Sequence, residues 1–235
     1  MLLDITGLNV SYGKTRVLWN VSLGIESLEI VVVAGSNGAG KSTLLKSICG
    51  VKDTDGGTIC FNGMRIDGLP THRIVSQGIS LIPEGGRVFP SMTVEENLDL
   101  GGYQERSIDR KQKSIEWVFQ LFPVLREKRN QRARTLSGGQ RQMLAVGIGL
   151  VPHPKVLLID EPSSGLAPKL VKSLFRMIEE IRTKGIAVLL VEQNVRAALE
   201  IAERGYVLEN GRMILEGTSK DLKTNDHVKK AYLGI

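Results

Sequence analysis

The stretch Gly35-Ser36-Asn37-Gly38-Ala39-Gly40-Lys41-Ser42 constrains this chain more than any other. It follows Glu29-Ile30-Val31-Val32-Val33-Ala34, which reads as a buried strand, and leads into Ser42 to Cys49, whose composition is helical. The glycines let the backbone turn so that successive N–H groups point inward. The helix that follows adds about half a positive charge at its N-terminus. A strand, a glycine cradle and a helix in that order suit a triphosphate. Lys41 is placed to reach the β and γ phosphates, Ser42 to ligate Mg²⁺ through its hydroxyl, and Thr43 to hold a neighbouring phosphate oxygen.

A second apolar run, Val156-Leu157-Leu158-Ile159, ends in Asp160-Glu161-Pro162. Two acids at the mouth of a buried strand have a use beside a phosphate loop. Asp160 can hold the Mg²⁺ through a coordinated water, and Glu161 can polarise an attacking water. Between these two elements lies Leu136-Ser137-Gly138-Gly139-Gln140, with Ser137 as helix N-cap and two bare glycine backbones at the start of the next helix. It reads as a second anion-binding helix end.

The pattern around these motifs predicts the fold class. Leu2 to Ile5 and Val17 to Leu23 read as antiparallel strands around a turn at Tyr12-Gly13-Lys14, and Gly56 to Gly63 as a strand entering a turn. From about Thr93 to Leu150 the patterning becomes helical, at Thr93 to Leu100, Ser107 to Phe122 and Ser137 to Gly147. The chain then returns to a strand at Val156 to Asp160, a helix at Pro168 to Thr183, and a strand at Ala187 to Glu192. A helix at Asn194 to Glu203 and a hairpin at Tyr206 to Leu215, turning on Asn210-Gly211, follow. Alternating apolar strands and helices indicate an α/β protein with a mostly parallel sheet covered on both faces. Gly147 and Gly149 inside a predicted helix each cost about 1 kcal/mol of propensity, which implies a bend or tight packing there.

Bulk properties narrow the classes. At 235 residues one domain is expected, and no unbroken apolar stretch approaches the roughly 20 residues that a membrane-spanning helix needs. Cys49 and Cys60 form no C-x-x-C pair and no signal-peptide pattern opens the chain, so a reducing cytoplasm is expected, with both thiols buried. His72, His153 and His227 have no ligand spacing and are expected at solvated surface positions. A net charge of +6 favours an anionic partner, but Arg106 to Lys113 and Arg126 to Arg134 carry few interleaved aromatics, which argues against nucleic acid.

The three motifs, in this order and across essentially the whole chain, resemble the ABC transporter ATPase family. The resemblance implies a P-loop NTPase fold of the ABC ATPase type, with a mostly parallel core sheet, an N-terminal antiparallel β subdomain and an inserted helical subdomain. It implies one domain over 1–235, its nucleotide core at 1–84 and 154–235 and the helical part at 85–153. ATP and Mg²⁺ are the implied ligands. Two such domains would pack head to tail, so that Ser137, Gly138, Gly139 and Gln140 of one close on the nucleotide held by Gly40, Lys41 and Ser42 of the other. Tyr12 matches the family position that stacks on adenine, with Val17 beside it.

Ile82-Pro83-Glu84-Gly85 with Val88-Phe89-Pro90 and Thr93 to Leu98 looks like the segment that senses Mg²⁺ and contacts the permease, with Glu84 where most relatives carry glutamine. Gln193 stands at the switch position, where many relatives have histidine; its amide can donate to the γ-phosphate but does not titrate near neutral pH. These departures, with Ser163 to Pro168 and the ending Ala231-Tyr232-Leu233-Gly234, resemble one of the two ATPases of branched-chain amino acid importers. The implied partners are a like or sister ATPase in a homodimer or heterodimer, transmembrane permease subunits and, indirectly, a solute-binding protein, at the cytoplasmic face of the cell membrane. The rival reading is a soluble ABC ATPase acting in cofactor assembly or nucleic-acid regulation.

Overall fold

The computed structural model describes residues 1–234. The chain opens with an antiparallel hairpin, β1 (Leu3–Tyr12) and β2 (Thr15–Ile25), turning at Gly13-Lys14. Next come β3 (Ile30–Ala34), α1 (Lys41–Ile48), β4 (Gly56–Phe61), β5 (Met64–Arg65), α2 (Thr71–Ser76) and β6 (Ile79–Ile82). A helical stretch follows, with α3 (Val94–Gly101), α4 (Ile108–Leu121), α5 (Pro123–Glu127) and α6 (Gly138–Leu150). The chain closes with β7 (Val156–Asp160), α7 (Pro168–Thr183), β8 (Ala187–Glu192), α8 (Val195–Ile201), β9 (Arg204–Glu209), β10 (Arg212–Thr218), α9 (Ser219–Thr224), α10 (Asp226–Val228) and a single π turn at Lys229–Leu233.

Two sheets result. One is antiparallel, in the order β2-β1-β4-β5; the other runs β10-β9-β3-β8-β7-β6 and is parallel except for the β9/β10 hairpin. The strands β3, β7 and β8 are buried along their whole length, because both faces of the second sheet are covered. Side-chain alternation sorts the two covers. Val31, Val33, Leu158 and Leu189 face α1 and the antiparallel sheet, packing with Leu44, Ile48, Ile5 and Ile59. Val32, Ile159, Val188 and Leu190 face the other way, into a cluster with Leu98, Phe119, Leu144 and Phe175 of α3, α4, α6 and α7.

The expected strands and helices are present, with differences that have physical causes. Strand β1 runs seven residues beyond Ile5, because it pairs with β2 on one side and β4 on the other. The sequence reading gave no element to α2, β5, β6, α5, α9 or α10. These have two to six residues each, too few for a period to register. Helix α8 ends at Ile201 rather than Glu203, since Glu203 is drawn to the start of β3, where its carboxylate accepts from Ile30 N at 2.7 Å.

Helix α6 runs unbroken through Gly147 and Gly149, and tight packing is the reason for both. A Cβ on Gly147 would lie 2.9 Å from Val118 and 3.0 Å from Leu98. Cys49 is buried, but Cys60 is half-buried rather than buried. In β4 its neighbours Ile59 and Phe61 take the core face, so alternation turns Cys60 outward. His72 and His227 are exposed as expected, and His227 Nε2 lies 2.7 Å from Glu209. His153 is exposed as expected too, while one side of its ring stacks on Trp117 with centroids 4.7 Å apart and contacts Ser114 Oγ at 2.9 Å. The partial desolvation of that ring lowers its pKa.

Candidate active site

The predicted phosphate loop occupies the turn between β3 and α1. Gly40 stands at the helix N-cap in the left-handed region, with φ 109°, and no side chain caps the helix. A Cβ there would meet Leu18 Cδ2 at 2.7 Å, so both conformation and space call for glycine. The first N–H groups of α1 are therefore left for a ligand. Val17, Asn37, Gly38, Gly40, Lys41, Ser42, Thr43, Glu84 and Glu161 line a cleft of about 440 Å³ at this helix end.

Lys41 is almost fully buried, and its ammonium donates to Gly35 O at 2.8 Å and Ser36 O at 2.9 Å. A third contact, 2.9 Å to Glu161 Oε1, makes an ion pair between the loop and the strand end. Glu161 itself has φ 42°, a left-handed conformation that costs a non-glycine residue on the order of 1 kcal/mol. Ser42 Oγ donates to Asp160 Oδ1 at 3.0 Å. Thus residues 118 positions apart meet at one point, as the sequence reading expects.

The oxygen set suits a hard cation. Asp160 is 5% exposed, and burial pushes its carboxyl above the usual range. The Ser42 hydroxyl opposes that shift, while the charges of Glu161 and Glu84 add to it. An ionised Asp160 therefore lacks a close cationic partner, and a divalent ion would supply one. Among the described residues no three acids, histidines or cysteines group as a metal cage. A Ser hydroxyl and one carboxylate, completed by substrate oxygens and water, is the donor set Mg²⁺ takes at phosphate sites.

Other predicted residues lie elsewhere. Gln193 is exposed and does not line the 440 Å³ cleft; it lines a larger adjoining one, about 990 Å³, together with Glu161, Ser163 and Glu192. Glu161 belongs to both. Tyr12 is 47% exposed, and the Lys52 ammonium lies 5.0 Å from its ring centroid. The Ser137 to Gln140 turn lines neither cleft, and Ser137 and Gly138 are exposed. Ser137 Oγ accepts from Gln140 N at 3.3 Å, and Gln140 Oε1 accepts from Ser137 N at 3.0 Å, a capping box.

Two residues without a predicted role hold the site's loops. Asn97, fully buried in α3, accepts from Phe89 N at 2.7 Å and donates to Phe89 O and Thr93 O, pinning the segment beyond Glu84. Glu192, 1% exposed, accepts from Ser163 N and Oγ and from Asn194 N. Its signal was in the sequence: an acid ends the apolar run Ala187 to Val191, just as Asp160 ends β7.

Comparison with known proteins agrees with this geometry. The family model described as ABC transporter matches residues 18–164. The chain is 46% identical to the high-affinity branched-chain amino acid transport ATP-binding protein BraG of Pseudomonas aeruginosa over 233 residues, covering 99% of this chain and 100% of that one. A probable branched-chain amino acid transport ATP-binding protein, LivF of Archaeoglobus fulgidus, is 39% identical over 235 residues, covering 100% and 99%. The lipopolysaccharide export ATP-binding protein LptB of Escherichia coli is 33% identical over 226 residues, covering 95% and 93%. Among solved structures, the ADP conformation of an ATP-binding cassette of an ABC transporter superposes with a TM-score of 0.88 at 26% identity, covering 100% of this chain and 99% of that one.

Proposed function

The chain belongs to the ABC transporter family, and from that premise we propose that it binds and hydrolyses ATP to drive a membrane importer of branched-chain or other hydrophobic amino acids. The observation that carries the catalytic part is the convergence of Lys41, Ser42, Asp160 and Glu161 at the uncapped head of α1. The substrate class rests on the two relatives named for branched-chain amino acid transport, each matched along nearly its whole length. No helix among the described residues is long and apolar enough to cross a membrane, so translocation requires permease subunits on which this chain would dock as a peripheral protein of the cytoplasmic face. The helices of 85–153 would form the part that meets them.

The chemistry follows from the geometry. The N–H groups of the Gly38 to Lys41 turn and the Lys41 ammonium bind the phosphates and stabilise charge that develops on them. Ser42, Asp160 and, at the cleft wall, Glu84 would hold Mg²⁺, which when bound neutralises phosphate oxygens. Glu161 stands at the junction of the two clefts, where a carboxylate can take a proton from water attacking the terminal phosphate. Its ion pair with Lys41 means that phosphate and Glu161 compete for one ammonium. The exposed Ser137 to Gln140 turn would lid the nucleotide of a partner ATPase, with Gln193 donating to the γ-phosphate and Tyr12 and Val17 bordering the base. Alternate closing and opening of the dimer would then drive the permease.

The test uses the chain extracted in detergent from membranes that express it. Two hydrophobic permease chains should co-purify, and the complex should hydrolyse MgATP. Glu161→Gln in the same complex should slow turnover by about 100-fold or more while ATP binds up to about tenfold tighter, Lys41 having lost its internal competitor. Near-normal turnover would remove Glu161 from the role. Recovery with nucleic acid instead of permease chains would favour the rival class.

A further inference from the structure

Glu192 is the last residue of β8 and, like Asp160, is a buried carboxylate with no ion pair among the described residues. Burying an ionised acid without a positive partner is costly unless strong donors surround it. Three do. Glu192 Oε1 accepts from Ser163 N at 2.9 Å, while Oε2 accepts from Ser163 Oγ at 2.8 Å and Asn194 N at 3.2 Å. Burial still pushes its carboxyl above the usual range, and the nearby Glu161 charge adds to that.

Those three donors belong to two different loops. Ser163 lies two residues after Glu161, in the turn where Ser164 N donates to Glu161 O at 3.2 Å. Asn194 follows Gln193 and caps α8, accepting from Ala197 N at 3.3 Å. Glu161 also donates its own N–H to Val191 O at 3.0 Å, so the two strand ends are already side by side. What the strands do not fix is the set of the loops beyond them. One carboxylate clamps both, and Glu161 and Gln193 project into the same cleft from its two sides. A smaller or apolar residue at 192 would pack acceptably against the sheet but leave both loops to find their own positions.

We propose that Glu192 is a positioning residue for hydrolysis, tying the Ser163 loop to the Gln193-Asn194 turn so that Glu161 and Gln193 act on one terminal phosphate. The inference rests on the hydrolytic reading above. Misplacing a reacting group by about 1 Å costs roughly 100-fold in rate, while phosphate binding at the Lys41 loop needs neither of the clamped loops. The clamp therefore belongs to the chemical step and not to nucleotide affinity.

The experiment compares Glu192→Ala, Glu192→Gln, Ser163→Ala and the Glu192→Ala/Ser163→Ala double variant in the permease complex. A fluorescent ATP analogue gives Kd, steady-state assays give kcat and KM, and thermal melts report folding. Glu192→Ala should keep Kd within about twofold and lose about 20-fold or more in kcat. Glu192→Gln keeps one carbonyl acceptor and should recover part of that loss. Ser163→Ala should lose less than Glu192→Ala, and the double variant should be no slower than Glu192→Ala alone. Unchanged kcat in the Glu192 variants, or Kd rising in step with the fall in kcat, overturns the proposal. If Glu192→Ala fails to fold, Glu192→Gln and Ser163→Ala decide it by the same split between kcat and Kd. Glu161→Gln is the control for the underlying reading. Fast turnover there sinks the hydrolytic site itself, whereas slow Glu161→Gln beside unaffected Glu192 variants sinks only the clamp.

Discussion

Two glycine-rich turns open helices in this chain, and they differ in how the helix end is satisfied. At α1 the N-cap is a left-handed glycine, no side chain caps the first turn, and the residue that follows is a buried lysine. At α6 the N-cap is Ser137, which closes a capping box with Gln140 on an exposed surface. The first turn is left without a side-chain cap beside a buried ammonium, which is what the proposed phosphate site asks for. The second is capped within its own chain, with Gly139 buried against Leu170 and Gly138 exposed, where the proposed function has a partner's nucleotide approach. In the proposed function the uncapped helix end is a receptor and the capped one a lid.

The comparison breaks most readily at Lys41. Lys41→Ala should weaken MgATP binding by 100-fold or more, about 3 kcal/mol, since a buried ammonium and three of its contacts go together. Ser137→Ala should leave binding to the isolated chain within about twofold. Equilibrium titration with a fluorescent nucleotide measures both. Equal losses would mean that the two turns are not a receptor and a lid.

A smaller effect separates the glycines. Gly40→Ala has to hold φ near 109° and push Leu18 aside, so denaturant unfolding should show a loss of about 2 kcal/mol. A Cβ on Gly138 meets nothing within 4 Å and no positive φ is required, so Gly138→Ala should be stable to within about 0.5 kcal/mol of the parent. It should nevertheless slow hydrolysis in the assembled complex, where the partner's nucleotide has to come close. A loss between those of the two glycine variants is expected on folding through Ser137. Its alanine variant should lose about 1 kcal/mol by the same unfolding assay, and a loss near zero would mean that the capping box contributes nothing.

Much of this was legible in the residues. The phosphate loop and the acids at the end of β7 stand out because each breaks an apolar run with residues that such a run does not tolerate without a purpose. The same rule applied to β8 points to Glu192, an acid that ends an apolar run just before Gln193. Strand β6 carries no readable period because it has only four residues at a sheet edge, although Glu84 stands two residues beyond its end. Cys60 faced outward for a reason visible only once its register against Arg65 and Asp4 was set.

The sequence by itself determined which local pieces exist: a strand that has to be buried, a loop that only glycine can form, a helix whose end is capped or left bare. These depend on a few neighbouring residues and their φ, ψ and hydrogen-bonding needs. Tertiary structure alone decided what meets what. Lys41 against Glu161, Ser42 against Asp160, and Ser163 against Glu192 are each joined across 29 to 120 positions by strand order in a parallel sheet. That order is set by packing both sheet faces at once, a condition on the whole chain that no short window of residues contains.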